Sequence, residues 1–236
     1  MLMLVPQSYA ITGVGNRWDN IGAMMNRGVE IAIDGDVIRT KDFTWNLSAN
    51  VSYNKNKLLE LYNGVEEYVN STTGLKYVVG HSVREYFMNR YAGVNPANGD
   101  ALWYTADGEL TTEFREEDKV MTGKSFDSPW VGGFGTSLMW KGLSLSAQFS
   151  WMAKRYVMNN DRFFEESNGL YSAYNQSKRL LYDRWKKPGD ITDIPRYGVT
   201  AQLDDRFLEN SSFLRLKNLT LAYAFPQSLL KKTNFF

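Results

Sequence analysis

The stretch Phe43-Thr-Trp-Asn-Leu-Ser-Ala-Asn-Val-Ser-Tyr-Asn54 decides how this chain is read. Its odd positions, Phe43, Trp45, Leu47, Ala49, Val51 and Tyr53, are apolar or aromatic, and its even positions, Thr44, Asn46, Ser48, Asn50, Ser52 and Asn54, are small and polar. Alternation with period two makes a β-strand with one apolar and one wet face. Strands of soluble sandwiches hold about five or six residues, whereas a strand that crosses a bilayer needs about 9 to 11. Here the alternation runs unbroken over residues 43 to 54, the length of a lipid-facing wall.

Working outward, Val29, Ile31 and Ile33 alternate with Glu30, Ala32 and Asp34, and the polar run Arg39 to Asp42 reads as a tight turn, so residues 28 to 54 form an antiparallel hairpin. The pattern returns downstream. After Val131 to Trp140 and a Lys141-Gly142 turn, Leu143, Leu145, Ala147, Phe149 and Trp151 alternate with Ser144, Ser146, Gln148 and Ser150. A last strand, Phe213 to Phe225, sets Leu219, Leu221, Tyr223 and Phe225 against Asn218, Thr220, Ala222 and Ala224. Its first half is out of phase, with Leu214 and Leu216 at even positions; either a bulge shifts the register or this half stands above the bilayer. Pro226 to Lys232 reads as a short turn and Thr233 to Phe236 as the start of another strand.

The apolar positions carry no charge on the two clear repeats, as lipid demands, since a Lys or Arg at the bilayer midplane costs about 2 to 4 kcal/mol. The expected lipid-facing set is therefore Phe43, Trp45, Leu47, Val51, Tyr53, Leu143, Leu145, Phe149, Trp151, Leu219, Leu221 and Tyr223. The expected lumen-facing set is Asn46, Ser48, Asn50, Ser144, Ser146 and Gln148. Trp45, Tyr53, Trp140, Trp151 and Tyr223 lie near strand ends, where amphipathic rings suit the headgroup level, and Trp45 and Tyr53 are expected to mark the two interfaces.

The bulk composition narrows the field. With 27 basic and 26 acidic residues the net charge is +1, which gives no basic face for nucleic acid. There is no cysteine, so no disulfide framework or thiolate metal site exists, and cytoplasm, periplasm and outer membrane all remain open. The N-terminus lacks a basic n-region and is too short for a signal h-region. Nowhere do about 18 apolar residues run together, which excludes a spanning helix. A barrel survives, because half its residues face a polar lumen and its hydropathy is weak; the mean hydropathy of −0.41 is consistent with one, and 14% aromatics can furnish girdles.

Between the strands, residues 1 to 27 read as irregular. Residues 55 to 81 read as a long exposed loop with Asn63-Gly64 and Thr73-Gly74 turns. Residues 83 to 94 and 101 to 106 read as a strand pair around Asn95-Pro-Ala-Asn-Gly-Asp100, and 107 to 124 as an acidic, polar stretch. Residues 152 to 211 are too long for a structureless loop, and Tyr174 to Trp185 reads as helical, stopped by Pro188-Gly189. Short connections (39 to 42, 141 to 142, 226 to 232) alternate with long ones (55 to 81, 152 to 211), the asymmetry of periplasmic turns and extracellular loops. The fold class is all-β, an antiparallel transmembrane β-barrel segment of about eight strands with long extracellular loops, one partly helical.

Four stretches, in order and across nearly the whole chain, carry a family resemblance: Asn20-Ile-Gly-Ala-Met-Met-Asn-Arg-Gly-Val-Glu30; Ala92-Gly-Val-Asn-Pro-Ala-Asn-Gly-Asp100; Arg184-Trp-Lys-Lys-Pro-Gly-Asp190 with Ile194-Pro195; and Phe207-Leu-Glu-Asn-Ser-Ser-Phe-Leu-Arg-Leu-Lys-Asn-Leu-Thr-Leu-Ala-Tyr-Ala-Phe-Pro226. The sequence resembles the C-terminal barrel part of the SusC/RagA family of TonB-linked outer-membrane transporters. The resemblance implies a barrel of about 22 strands plugged by an N-terminal domain, energised by the TonB complex and lidded by a SusD-like surface lipoprotein that captures glycans or peptides. No signal sequence, TonB-contacting box, carboxypeptidase-regulatory-like domain, plug or terminal strand is recognisable, so residues 1 to 236 are expected to be part of one barrel domain, with Met1 an internal methionine. An open barrel edge is not tolerated by lipid, so on its own such a part is not expected to transport.

Chemical alternatives are weak. His81 is the only histidine, which excludes a multi-histidine metal site, and it reads as a loop residue rather than the base of a Ser/His/Asp triad. Glu116-Glu117, Glu165-Glu166 and Asp204-Asp205 are carboxylate pairs, but adjacent acids on polar loops read as solvated charge rather than a glycosidase pair. Asn95 to Asp100 lacks the length and terminal Glu of a calcium loop. Gly132-Gly133-Phe134-Gly135 lies in a strand pattern, where glycine relieves crowding rather than cradling phosphate. No catalytic residue, metal or cofactor is assigned. Among the aromatics of the long loop, Tyr171, Tyr174, Trp185 and Tyr197 are the candidate substrate or lid contacts; the competing reading is that Tyr156, Phe163, Phe164, Tyr182 and these four form the loop's own small core and its contact with a lid. The rival functions are a soluble β-sandwich carbohydrate-binding or adhesion module and, behind it, a jelly-roll enzyme using the loop carboxylates. A sandwich needs a charged outer face for solubility, whereas Thr44 to Asn54 and Ser144 to Ser150 offer only uncharged polar groups.

Overall fold

The computed structural model describes residues 2–6, 9–13, 15–20, 22–61, 64–69 and 75–226. The chain begins with a small hairpin, β1 (Leu2–Pro6) and β2 (Asn16–Asn20), around a single helical turn, α1 (Tyr9–Thr12), where the sequence reads as irregular. Two long strands follow, β3 (Gly22–Arg39) and β4 (Phe43–Leu61), then a short pair, β5 (Glu67–Val69) and β6 (Lys76–Val78). Next come β7 (Glu85–Met88), β8 (Arg90–Val94), β9 (Ala101–Tyr104), β10 (Leu110–Thr111) and β11 (Val120–Ser125). The hairpin of β12 (Trp130–Trp140) and β13 (Leu143–Ala153) precedes β14 (Tyr156–Met158), α2 (Asn160–Glu165), α3 (Arg179–Tyr182), β15 (Leu208–Asn210) and β16 (Phe213–Tyr223).

These elements cluster into two compact units. One comprises Asn26–Asn56, Ser128–Arg155 and Ser211–Phe236, and the other Met1–Met25, Lys57–Asp127 and Tyr156–Asn210. The first, the sheet unit, is five strands in the order β16-β13-β12-β4-β3. β12 lies between β4 and β13 without a register break, so Phe43, Trp140 and Leu143 form one rung and Tyr53, Trp130 and Ala153 another, ten residues along. The β12–β13 turn is the expected Lys141-Gly142 pair; both residues take positive φ, 45° and 88°, the backbone that matches the twist of a two-residue hairpin. The β3–β4 turn also falls where expected, but β3 begins at Gly22 rather than 28.

The phase break in the last strand is a bulge. Asn218 pairs with Gln148 and Leu216 with Phe149, leaving Lys217 as the extra residue. One residue out of step returns Leu214 and Leu216 to the apolar side. The expected turn at 226 to 232 and strand at 233 to 236 lie outside the described residues, apart from Pro226.

The second, the loop unit, holds all the buried apolar residues among those described. Phe163, Ala201 and Phe207 form its centre, with Met158, Phe164 and Tyr171 packed around them. Two expectations fail here. Residues 55 to 81 are not one loop: β4 runs on to Leu61, with Leu58 and Leu61 wholly buried, and β5–β6 follows. Strong tertiary burial overrides the polar flanks Lys55 and Lys57. Within the acidic, polar stretch 107 to 124, β11 pairs with β7, the Thr122 hydroxyl donates to the Tyr86 carbonyl, and Glu85 accepts from the Gly123 N–H. The helix read at 174 to 185 shrinks to α3. Gln176 donates to the carbonyls of Tyr171 and Tyr174 and holds the chain in a turn before it, and the Trp185 N–H is drawn off to the Ile194 carbonyl after it. The pair at 83 to 106 does form, as β8–β9 around the Asn95 turn. With five and four residues, these strands fall short of the about 9 to 11 that crossing a bilayer takes.

Candidate functional site

Register sorts the side chains of the sheet unit onto two faces, since directly paired residues of neighbouring strands point the same way. Phe43, Trp45, Leu47, Val51 and Tyr53 share a face with Leu143, Leu145, Phe149 and Trp151, and with Leu219, Leu221 and Tyr223. β12 adds Trp130, Phe134, Leu138 and Trp140, and the bulge adds Leu214 and Leu216. From Phe43 to Tyr53 of β4 and along β12, β13 and β16 no charged residue occurs on this face; Lys55 and Lys57 follow on it where β4 runs on beyond its pairing with β12. None of its side chains is buried among the described residues.

Two contacts on the apolar face are specific. The Trp45 indole Nε1 donates to the Thr136 hydroxyl at 2.9 Å, so neither polar group is left bare on an apolar surface. The Trp151 ring lies over Gly132, where a Cβ would approach it to 2.8 Å; only glycine fits beneath. Trp45 sits one rung inside the Phe43–Trp140–Tyr223 level, and at the other end the Tyr53 and Trp130 rings are 4.5 Å apart.

The opposite face carries Asn46, Ser48, Asn50, Ser144, Ser146 and Gln148. β3 joins it through three side-chain bonds placed symmetrically about Lys41: Asn46 to Asp36, Ser52 to Glu30 and Asn56 to Asn26. These put Glu30, Asp34 and Asp36 on the polar side of β3, while Arg215 and the bulged Lys217 occupy the polar side of β16. The result is a trough of about 470 Å³ whose lining includes Asp34, Ser48, Asn50, Gly133, Gln148 and Lys217. Lys217 was not singled out by sequence reasoning. The spacing of three between Leu216 and Leu219 in an alternating strand is the signal that one extra residue intervenes.

In the loop unit, motifs far apart in sequence meet. Trp185 donates through Nε1 to the Pro96 carbonyl at 3.2 Å and lays its ring on Gly99, while Arg196 pairs with Asp100 at 2.9 Å. Trp185 is thus committed to pinning the Asn95–Asp100 turn. Tyr171 packs its ring 4.7 Å from Phe164 and 5.8 Å from Phe163, and Tyr174 reaches Phe164 at 5.7 Å, an aromatic cluster that takes in only part of the competing set, since Tyr182 and Tyr197 lie exposed. Of the four candidate contacts, Tyr197 is the most exposed, at 72%, with the Arg184 guanidinium 5.1 Å from its ring centre.

Of the three carboxylate pairs, Glu116, Glu117 and Glu165 are exposed, as expected of solvated charge, whereas Glu166, Asp204 and Asp205 are structural. Asp204 is wholly buried and accepts from Trp103 Nε1 at 2.8 Å and from Arg206 Nε at 3.1 Å. Burial pushes its carboxyl up, against the pull of Arg206 and Trp103. Asp205 turns elsewhere, accepting from the Tyr91 N–H at 2.8 Å and pairing with Lys124 at 3.2 Å, so the two do not form an acid–nucleophile pair. Glu166 is buried between Arg162 and Arg179, which also share Asp193. Burial would raise Asp193, but the hydrogen bonds and charge of Arg179 outweigh it and hold the carboxyl below its usual range. Adjacent acids read as solvated in the sequence because their cationic partners are remote in it. His81 is a loop residue, its Nδ1 3.0 Å from Glu85 Oε2.

Long antiparallel strands in one sheet, an uncharged apolar face and a polar opposite face define a segment of a transmembrane β-barrel. The chain is 36% identical to a chain of the RagAB peptide transporter, with a TM-score of 0.87 over 97% of its residues, and it matches the RagAB peptide importer in its open-open state with a TM-score of 0.88. It is 28% identical over 242 residues to TonB-dependent receptor P3 of Formosa agariphila, and 28% identical over 233 residues to TonB-dependent receptor SusC of Bacteroides thetaiotaomicron. No protein-family model matches. The chain belongs to the SusC/RagA-like TonB-dependent receptors. It spans about a quarter of their length: 24% of P3, 22% of SusC and 26% of the RagAB chain. These relatives are named as receptors and importers, and none of them as an enzyme.

Proposed function

We propose that residues 1 to 236 form part of the barrel domain of a TonB-dependent outer-membrane transporter that imports glycans or peptides. A SusD-like surface lipoprotein acts as its lid and the TonB complex as its energy source. The apolar face of the sheet unit meets lipid and the polar face lines the lumen, with the residues assigned above. One observation carries this reading: over residues 43–53 of β4 and the strands paired with them, an apolar face four strands wide, free of charge and without a buried side chain, needs an apolar solvent rather than a packed core. The aromatic levels support it. Ten residues separate Phe43 from Tyr53, about 34 Å at about 3.4 Å per residue, and a tilt of about 40° reduces this to the apolar band of about 25 Å. The interface at the turn end then falls on Phe43, Trp140 and Tyr223, with Trp45 just inside it. Long loops contribute to the substrate chamber, and no covalent chemistry occurs.

The test uses the full-length receptor in its own cells. After a salt and carbonate wash it stays with the outer membrane and is released by detergent, and its deletion abolishes uptake of the imported oligomer. Recovery in the washed soluble fraction would sink the barrel reading in favour of a sandwich.

A further inference from the structure

The loop unit contains a cavity of about 480 Å³ between the segment after α2, the one-turn α3 and the 195–199 loop. Its lining includes Lys178, Leu181, Arg184 and Tyr197, with Asn168 also contributing. Cations without an acid partner occur elsewhere in the unit among the described residues, at Lys57, Arg90, Lys186 and Lys187, but here two such cations line one pocket. Arg162, Arg179, Arg196 and Arg206 are each held by one or more carboxylates, whereas among the described residues neither Lys178 nor Arg184 lies within ion-pair distance of any acid. Arg184 instead rests on the ring of Tyr197, which orients the guanidinium while leaving its donors to an incoming acceptor.

The walls are built rather than loose. Asn168 is only 2% exposed and takes a positive φ of 53°; its Nδ2 donates to the carbonyls of Arg196 and Val199, both at 2.7 Å, tying the 195–199 loop to the segment after α2. Among the described residues its Oδ1 accepts no hydrogen bond. The Ser177 N–H donates to the Glu165 carbonyl and fixes the start of the α3 wall. Two uncompensated cations, an exposed ring and an exposed leucine around one pocket make a site for an anion carried on an apolar or ring-shaped body.

From this we infer that the cavity is a subsite for a carboxylate on the transported oligomer. The carboxylate lies between Lys178 and Arg184, and the adjoining apolar or ring portion lies against Leu181 and Tyr197. The inference rests on the import reading only in taking the ligand to be the transported molecule. The same chemistry is offered by an acidic peptide and by a uronic-acid glycan.

The full-length receptor in detergent is titrated with four probes: an oligoglutamate, the matching oligoglutamine, an oligouronate and a neutral oligoglucoside. Charge-assisted recognition predicts that at least one acidic probe binds about tenfold or more tightly than its neutral counterpart, and which series shows the preference assigns the source. The K178Q/R184Q receptor loses most of that preference, and K178E/R184E gains one for oligolysine, a reversal that misfolding cannot imitate. Equal affinity for acidic and neutral probes, or a preference untouched in K178Q/R184Q, overturns the subsite. Uptake of the same probes by cells is measured separately. Selective binding without uptake leaves the subsite and removes the import reading; uptake without selectivity does the reverse.

Discussion

The sheet unit and the loop unit hold their residues in opposite ways. In the loop unit, Phe163, Phe207 and Trp103 are buried in protein; of the carboxylates inside with them, Glu166 and Asp204 are paired with arginines and Asp118 accepts the Ala106 N–H. In the sheet unit no described residue is buried, yet Leu214, Leu219 and Leu221 lie open on a face without charge. One unit brings its own apolar medium and the other is shaped to receive one. The contrast teaches that the apolar fraction of a chain does not locate its core; the distribution of charge around the apolar groups does.

The comparison can be broken most sharply at Phe207. Phe207→Ala opens a cavity against Phe163 and removes the stacking surface of Arg206, a loss of about 3 to 5 kcal/mol. Limited proteolysis of the full-length receptor is expected to cut within 156–210 while the strands of the sheet unit stay protected. Simultaneous cleavage of both would mean that the two units are not separately stabilised. The next largest effect separates the faces. Leu219→Arg places a cation on the apolar face at a cost of about 2 to 4 kcal/mol, whereas its neighbour Thr220→Arg, on the polar face, is expected to cost under about 1 kcal/mol. The yield of folded receptor in the outer membrane reads both, and equal yields would erase the distinction between the faces.

The smallest effect concerns the paired charges. Asp193 is held below the usual carboxylate range, so its contribution is present above that range and fades as pH falls through its depressed value. Both Asp193 and Arg179 are more than a third exposed, so screening limits Asp193→Asn to about 1 kcal/mol. Thermal melts are expected to differ between wild type and variant at neutral pH and to converge at strongly acidic pH. A difference that persists there would tie the role of Asp193 to packing rather than charge.

Much of the sheet unit was legible because its rule is local. Phe43 to Asn54 and Leu143 to Trp151 announce two faces by alternation alone, and Lys141-Gly142 announces its turn. The phase break at Leu214 and Leu216 was visible as a break, but its cause was not, since a bulge is defined by pairing with Gln148 and Phe149 on another strand. The loop unit obeys no local rule. That Glu166 and Asp204 are buried depends on Arg179 and Trp103, and nothing near Trp185 in sequence points to its contact with Gly99. Likewise Leu58 and Leu61 follow a polar stretch, and only distant residues make them interior.

The two contacts on the apolar face bear on how the strands find one another. A slip of one residue between β4, β12 and β13 would turn every apolar side chain to the wrong face, so alternation forbids it. A slip of two leaves the faces intact, and alternation is blind to it. Trp45 meets the Thr136 hydroxyl, and Trp151 meets the bare backbone of Gly132, in one alignment alone; two residues away, an indole N–H would lack its acceptor and a ring would collide with a side chain. These aromatic residues therefore act as a key that distinguishes one assembly of the wall from its near-copies, a choice that the alternating pattern by itself leaves degenerate.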